Sequence, residues 1–428
     1  MSDPLPSTPP GRIGPRGLAL MGGFGFASGL PLYLTFFTLQ QWLSESHVSL
    51  RTIGSAALIG LPYLLKFLWA PLLDRALPGP LGRLGRRRGW MLPVQLLLSL
   101  TVVAMSLCMP AQALLPLFAA ACLLAFFAAS QDILIDAWRI ETFPPRLQAA
   151  ALGAYSWGYR IAMLCSGAGA IWLAARLGWH RSLLAMAGLS LVGPVLALLA
   201  REPVLAARTT AGFGWRHALR TRVGEPFRDL LGRPDAWIVI AFVLVFNLGT
   251  QLADTMAYPL YHALGFAPTA VASANGVPSL CAALSGAVAS GVLVARIGLG
   301  RALILCACVQ MCSILLYLVL VQAGPVFALL LAKVTLEGFA EVLAATTFAT
   351  YLSRLCSLDY TATQFALLSS LAPVAWRTLG GSTGFLAQGM GWTGFYLLTT
   401  AACLPGILIM LVLLRRYPGG LPPRPAAA

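Results

Sequence analysis

Nine ionisable side chains lie inside segments of the sequence that are otherwise apolar enough to cross a membrane. The cations are Lys66, Arg160, Lys333 and Arg377, and the anions are Asp132, Asp136, Asp254, Glu337 and Glu341. An ionised side chain deep in a bilayer costs at least about 2.5 kcal/mol, so such residues normally face the interior of a helix bundle and mark a pathway. The sequence therefore predicts a polar pathway within a membrane.

Asp132 and Asp136 are four positions apart, so they share one face of a predicted helix. Two carboxylates at this spacing in a medium of low dielectric constant could take up a proton. Asp136 has an alternative role, because it could instead pair with Arg139 and only hold an inner gate. Both roles stay open for Asp136, and Asp132 is a candidate for proton coupling.

A second charged stripe, formed by Lys333, Glu337 and Glu341, follows in steps of four residues. Lys333 could simply pair with Glu337, which would explain both as structural and would make Lys333 a salt-bridge residue. Glu341 is left without a local partner, although Lys66 or Arg377 could reach it from another helix. Glu337 is the preferred proton-coupling candidate, and Glu341 and Asp254 are the others.

Aromatic side chains accompany the cations that we expect near the membrane midplane. Such groups suit a ligand that has a ring or sugar face together with carboxylates or phosphates, although each aromatic alone could be packing. Trp69 also flanks Lys66. The predicted substrate-binding residues are Arg160, Arg377, Lys66, Tyr63, Trp157, Tyr159, Trp376 and Gln40.

Composition requires that these residues belong to a membrane protein. Of 428 residues, 58% are hydrophobic and 10% are charged, whereas soluble domains carry about 25% charged residues. The net charge of +15 would fit a nucleic-acid-binding surface, but basic residues also collect on the cytoplasmic side of membrane proteins. We therefore expect no nucleic acid as a partner and a lipid bilayer as the surroundings.

Twelve apolar stretches have the length of about 20 residues that a membrane-spanning helix needs. They are approximately 18–44, 52–73, 90–109, 114–137, 147–175, 182–200, 236–263, 269–295, 302–322, 326–353, 363–388 and 393–414. With the N-terminus inside, 22 of the 29 basic residues fall in cytoplasmic segments and three in external loops. This asymmetry predicts that both termini are cytoplasmic.

The long segment 201–234 divides the spans into two sets of six helices. We expect a cytoplasmic tail at 1–17, a helix bundle at 18–200, a cytoplasmic loop at 201–234, a second bundle at 235–416 and a tail at 417–428. Within the loop, 215–231 predicts an amphipathic helix on the inner leaflet, with a partner-binding site as the alternative. An aromatic-arginine pair precedes a hydroxyl-glycine pair at the same spacing in both halves, at Tyr159 and at Trp376, as expected for duplicated transporter halves.

Neither metal nor cofactor chemistry is expected. Cys306, Cys308 and Cys312 are near one another, but no histidine or carboxylate lies among them to complete a metal shell. The sequence has neither the clustered histidines nor the sizeable extramembrane domain that would indicate an enzyme. A membrane-embedded transferase or hydrolase is therefore the weaker alternative. We expect a monomer.

Several longer runs resemble a known family. Asp74-Arg75 followed by the arginines at 83 and 86–88 is similar to the loop between helices two and three of the major facilitator superfamily. More specifically, the chain resembles the AmpG muropeptide permeases in five runs, which are 25–32, 65–75, 85–90, 130–138 and 362–369. The chain departs from some members in helix seven, where it has Asn247-Leu248-Gly249-Thr250 instead of Lys-Leu-Gly-Asp, and it stops after twelve helices.

The resemblance implies two six-helix bundles with a central cleft and proton-coupled import of anhydromuropeptides across the bacterial inner membrane. It also implies that the acid and arginines of the loop latch the two halves at an inner gate. The gate and salt-bridge residues are thus predicted to be Asp74, Arg75, Arg86, Asp136 and Lys333. Import of another anionic conjugate, such as a siderophore, is an alternative that the residues alone do not rank lower. A second alternative is a signalling or structural protein whose buried charges only hold helices together.

Overall fold

The computed structural model describes residues 15–46, 59–74, 79–110, 114–203, 228–357, 360–380, 382–417 and 420–421. Within these ranges the chain forms helices joined by short turns, and no β-strand. Loop segment 204–227 and Arg75 lie outside them, so most of the predicted amphipathic helix is not covered.

In the described residues, the first half of the chain forms ten α-helices, several of which are pieces of one membrane crossing. They are α1 (Pro15–Thr35), α2 (Phe37–Glu45), α3 (Leu61–Leu65), α4 (Ala70–Leu73), α5 (Arg86–Ser106), α6 (Leu114–Thr142), α7 (Gln148–Leu164), α8 (Ala170–Leu177), α9 (Trp179–Ser190) and α10 (Val192–Leu199). A π-helical turn at Cys165–Gly169 joins α7 to α8.

Eleven α-helices are formed by the part of the second half that the structure describes. They are α11 (Ala236–Val245), α12 (Leu248–Thr255), α13 (Ala257–Ala263), α14 (Pro268–Asn275), α15 (Val277–Ile297), α16 (Leu299–Ala323), α17 (Phe327–Leu355), α18 (Thr361–Leu371), α19 (Val374–Gly380), α20 (Thr383–Ala401) and α21 (Leu404–Arg416). α20 is interrupted at Gly391, whose φ of 70° is not helical.

Nine helices or helix series in the described residues are long and apolar enough to cross a membrane. α17, which is 29 residues long and carries the charged stripe of Lys333, Glu337 and Glu341, is not one of these nine. The second and eleventh predicted spans, 52–73 and 363–388, correspond in the described residues to α3 and α4 and to the series from α18 to the start of α20. The predicted all-helical architecture is therefore present.

Glycines allow the first half to pack closely. α1 lies against α7 at van der Waals distance between backbones, because a Cβ at Gly158 would be 1.7 Å from the Gly22 carbonyl oxygen and one at Gly25 would be 1.9 Å from the Tyr155 oxygen. This close approach places the aromatic face of α7 against α1. Short turns at Gly178 and Gly298, with φ of 84° and 81°, reverse the chain between consecutive crossings.

The two halves touch along α7 and α15 and along α18 and α6. At the first contact, a Cβ on Gly153 would be 2.9 Å from the carbonyl oxygen of Ala287. Four large apolar clusters fill the interior. Two of them cross between the halves, because Ile140 and Ala149 join a cluster of the second half and Ala362 and Ala366 join a cluster of the first half.

Candidate functional site

The end of the bundle that carries Arg86, Arg87 and Arg139, called here the arginine-rich end, contains a network that joins the halves. The Arg87 side chain is fully buried, and its Nη2 lies 2.8 Å from Asp74 Oδ1. It also donates to the Thr361 hydroxyl at 2.8 Å and contacts Glu141. Since a buried cation is tolerated only when it is paired, these contacts fix Arg87 in place.

Glu141 and Asp74 are the acids of this network. Glu141 accepts from Arg86 Nη2 at 2.9 Å, from Arg87 and from the Thr361 hydroxyl. Asp74 accepts backbone N–H groups at the start of α18, from Ala362 at 3.3 Å and Thr363 at 2.9 Å. Both acids of the first half thus bind the first turn of a helix of the second half.

Arg139 makes a second connection at the same end. Its buried guanidinium donates to Asp136 Oδ1 at 3.0 Å, to the Gln148 side-chain oxygen at 2.7 Å and, across the halves, to the Ser353 hydroxyl at 3.0 Å. The ring of Phe365 lies 5.4 Å away. Asp136 is therefore placed beside Arg139 as the gate hypothesis requires, while its proton-carrying role stays a prediction.

Further from this end, two contacts between α7 and the second half border the space between the halves. Arg160 Nη2 lies 3.9 Å from Glu341 Oε2, and the side chains are 27% and 48% exposed. The indole N–H of Trp157 donates to the Leu284 carbonyl oxygen at 3.2 Å. Glu341, which has no partner on its own helix, is thus met by an arginine from the opposite half.

Lys333 and Glu337 form a buried pair inside the second half. Lys333 Nζ is 2.5 Å from Glu337 Oε1 and 2.9 Å from the Tyr261 hydroxyl, and it lies 3.5 Å above the centre of the Tyr317 ring. Tyr317 donates to Glu337 at 3.0 Å. Lys333 therefore belongs to this cluster, apart from the network at the arginine-rich end.

Asp132 lies inside the first half. The carboxyl is buried beside the Ser28 hydroxyl, and Lys66 is the cation whose charge acts on it. On the same helix, the Ser130 hydroxyl accepts a hydrogen bond from the Trp69 indole at 3.0 Å. The proton-coupling role of Asp132 stays a prediction.

The other predicted binding residues surround these groups without forming one closed pocket. The Tyr63 ring lies 6.1 Å from the Phe36 ring, and the Tyr159 ring lies 5.7 Å from the Tyr155 ring. Two predicted binding residues are exposed. Arg377 is exposed with its guanidinium 5.3 Å from the Trp376 ring, and Gln40 is exposed on α2.

The sequence gives no sign of Glu141 as a site residue, and it places Arg87 and Arg139 in cytoplasmic segments, Arg87 within the run that resembles the gate loop and Arg139 as a possible partner of Asp136. Arg87 and Arg139 are fully buried instead. Asp74 and Arg86 lie in the network as predicted, but Arg75 lies outside the described residues. Metal-binding clusters of histidine, cysteine and carboxylates are absent from the described ranges.

Comparison with known proteins decides the family. A model of the Major Facilitator Superfamily matches residues 20–258. The anhydromuropeptide permease of Escherichia coli (strain K12) is 37% identical over 390 residues, which cover 91% of this chain and 78% of that protein. The chain belongs to the AmpG muropeptide permease family of the major facilitator superfamily. The permease of the same name from Escherichia coli O157:H7 gives the same identity and coverage.

The AmpG-family chain also has the fold of solved transporters. The Escherichia coli fucose:proton symporter FucP matches with a TM-score of 0.68 at 12% identity, covering 93% of this chain and 98% of that one. At this identity the similarity shows the fold alone. The predicted family, the predicted helical fold and the prediction of a transporter rather than an enzyme are confirmed, since its relatives are permeases.

Proposed function

We propose that this AmpG-family protein imports anhydromuropeptides from the periplasm into the cytoplasm, by alternating access coupled to protons, in the inner membrane of a bacterium. The observation that carries the proposal is the 37% identity, over 91% of the chain, to a protein named anhydromuropeptide permease. The substrate, the direction and the coupling ion are inferences from that relationship and from the chemistry of the charged residues.

The arginine-rich end is proposed to face the cytoplasm. Basic residues favour the cytoplasmic side, and Arg86, Arg87 and Arg139 all lie at this end. The polar contacts of Asp74, Glu141 and Arg139 close the halves at this end, which supports an outward-facing state under the proposed orientation. Cargo would then enter from the end opposite the network.

Arg160 and Arg377 are proposed to bind carboxylates of the peptide stem. An arginine offers a planar set of donors that matches a carboxylate, and both side chains lie near aromatic rings, Trp157 and Trp376. Rings of this kind can cover the apolar face of a sugar. The alternative cargo, a ferric siderophore, would use the same arginines.

The deciding experiment is uptake of labelled anhydromuropeptide by proteoliposomes with an imposed proton gradient. We expect uptake that collapses with the gradient and is lost in Arg160→Ala and Arg377→Ala. Arg176→Ala is the matched control, since Arg176 lies 4.3 Å from the Trp172 ring on α8, away from the proposed site. Normal uptake in both site variants would contradict the site, and competition by ferric siderophore alone would contradict the cargo.

Alternating access is tested with a probe residue that can be labelled from one side of the membrane in one state and from the other side in the other state. Gly29 is unsuitable, because a Cβ there would lie 2.4 Å from the Tyr159 carbonyl oxygen. Ile161, one residue after Arg160 and 46% exposed, offers a position for a single cysteine after the exposed Cys122, Cys281 and Cys312 are replaced by serine. Labelling that does not change sides with substrate would instead favour a static structural protein.

A further inference from the structure

The cluster around Lys333 contains one more acid than it has cations. Asp254 lies in hydrogen-bonding contact with Glu337, and its other oxygen, Oδ1, is buried without a partner. Glu337 is already bound to Lys333 at 2.5 Å. If both carboxyls were ionised, the cluster would keep a negative charge inside the bundle and two like charges in contact, which is strongly unfavourable.

One proton resolves both problems. A protonated carboxyl can donate to its neighbour, so that Asp254 and Glu337 form one hydrogen bond and carry one negative charge, which Lys333 balances. Two carboxyls in contact that share a proton in this way behave as a single titrating unit.

The surrounding groups do not replace that proton. They face the pair from each neighbouring element, namely Tyr258 and Tyr261 on α13, Tyr317 on α16, Tyr396 on α20, Cys403 before α21 and Glu341 one turn further along α17. Phenols and thiols keep their protons at neutral pH, and Glu341 is met by Arg160. Lys333 is thus the cation that serves the pair within the described residues.

The position of the pair links it to a broken helix. α12 ends at Thr255 and α13 begins at Ala257. Asp254, which lies on α12, contacts Glu337. The hydroxyl of Tyr261, which lies on α13, accepts a hydrogen bond from Lys333 Nζ at 2.9 Å. The pair on α17 therefore holds both pieces of this membrane crossing, on either side of its break at Met256.

We propose that Asp254 and Glu337 hold one shared proton and that its loss to water loosens α12 and α13 from α17, so that this contact is the step at which proton movement changes the conformation. Deprotonation leaves two carboxylates in contact, and their repulsion acts across the contact between α12 and α17. This coupling role rests on the proposed transport, whereas the shared proton itself does not.

The shared proton is tested without cargo, by infrared difference spectroscopy of the whole protein in nanodiscs during a pH titration. We expect a carbonyl stretch of a protonated carboxyl that disappears in both Asp254→Asn and Glu337→Gln. Glu341→Gln is the matched control and should keep the band. A band that persists in either single variant would overturn the shared proton, because two independent acids would lose only their own signals.

The coupling role is tested in proteoliposomes with labelled anhydromuropeptide. A one-unit pH gradient gives about tenfold accumulation when one proton moves with each cargo molecule, and we expect Asp254→Asn and Glu337→Gln to accumulate no cargo above equilibration while still exchanging it in counterflow. Counterflow shows that the variants fold. Normal accumulation by the two variants would overturn the coupling role. An absence of any muropeptide transport by the wild type would overturn the proposed function. In that case the infrared result would still decide whether the proton is shared.

Discussion

Asp74 of the first half caps a helix of the second half through Thr363. Its Oδ2 accepts the Thr363 backbone N–H at 2.9 Å and the Thr363 hydroxyl at 2.7 Å, across 289 positions of sequence. Thr363 is the third residue of α18, where backbone N–H groups have no partner within the helix. The carboxylate also meets the positive end of the helix dipole, so this contact favours the state in which the arginine-rich end is closed.

Asp74→Asn should open that end more often. The amide keeps one acceptor but loses the charge, and loss of a helix cap costs about 1 kcal/mol, which changes the ratio of closed to open molecules about fivefold. Spin labels at Arg83 and Arg296, both exposed at this end, would report the change as a larger fraction of long distances.

A double-mutant cycle with Thr363→Val is the control for this prediction. If the two residues act through the same contact, the double variant should open less than the two single effects add up to. Strictly additive effects would mean that Asp74 acts through Arg87 and the backbone N–H groups of α18, and not through the Thr363 hydroxyl.

In the proposed mechanism, Glu341 competes with the anionic cargo for Arg160. Their ion pair is long, at 3.9 Å, and half exposed, so it is weak and easily replaced. Glu341→Gln should therefore lower the KM for an anionic cargo, because Arg160 is no longer engaged by a carboxylate. Arg160→Lys should raise the KM, since lysine lacks the planar pair of donors.

Uptake kinetics of the two variants check this, with the KM and kcat reported separately. A raised KM in Glu341→Gln would show that Glu341 binds the cargo itself instead of competing with it. Arg176→Gln again serves as the control for loss of an arginine elsewhere.

Much of the fold follows from the sequence alone. Apolar stretches at the length of a bilayer predict the crossings, and the spacing of four residues predicts the Lys333 and Glu337 pair, because residues one helical turn apart are neighbours whatever the tertiary structure. The contact of Asp136 with Arg139 was one of two alternatives for the same reason. A sequence pattern can therefore predict contacts between residues one turn apart on the same helix.

The rest of the candidate site depends on contacts that no spacing encodes. Arg87 meets Thr361 across 274 positions and Glu141 across 54, and charge counting treats such arginines as loop residues. Burial distinguishes them from exposed loop arginines, and burial depends on how the halves close. Tyr317 likewise joins Glu337 from a different helix, and an aromatic residue in an apolar span gives no sign of such a role.

Acid should weaken the contact between the start of α11 and the end of α21. Arg416 and Tyr417 donate to the half-buried Asp235 at 2.8 Å, and the hydrogen bond from Arg416 is the main reason that the pKa of Asp235 lies below its usual value. Because the pKa of Asp235 is lower in the folded state, the ionised carboxylate stabilises the protein at pH values above the unfolded pKa of about 3.9. This stabilisation is lost as the pH falls through the pKa of the folded state.

Tyr417→Phe should therefore lower the Tm at neutral pH and make its fall in acid smaller than in the wild type, because losing one donor to the carboxylate brings the pKa of Asp235 in the folded state closer to its unfolded value. Thermal unfolding between neutral and acidic pH checks this, with Arg415→Gln as a control that changes charge one residue before Arg416. Curves that superimpose at every pH would show that the Tyr417 hydrogen bond does not affect stability.

Gly158→Ala should destabilise the first half. The new Cβ would lie 1.7 Å from the Gly22 carbonyl oxygen, a backbone atom that can move only if α1 and α7 separate. Separation would also shift Tyr159 and Arg160, so that transport should fall together with the Tm. Overpacking of this kind typically costs about 1–3 kcal/mol.

Gly188→Ala is the matched control, since it lies in the helical interior of α9 and a Cβ there meets nothing within 4 Å. Alanine favours a helix over glycine by about 0.5–1 kcal/mol, so this variant should keep or raise the Tm and transport normally. Equal Tm values for the two variants would contradict the close α1 and α7 contact as the source of the effect, because both substitutions make the same chemical change and differ only in what the added methyl group meets.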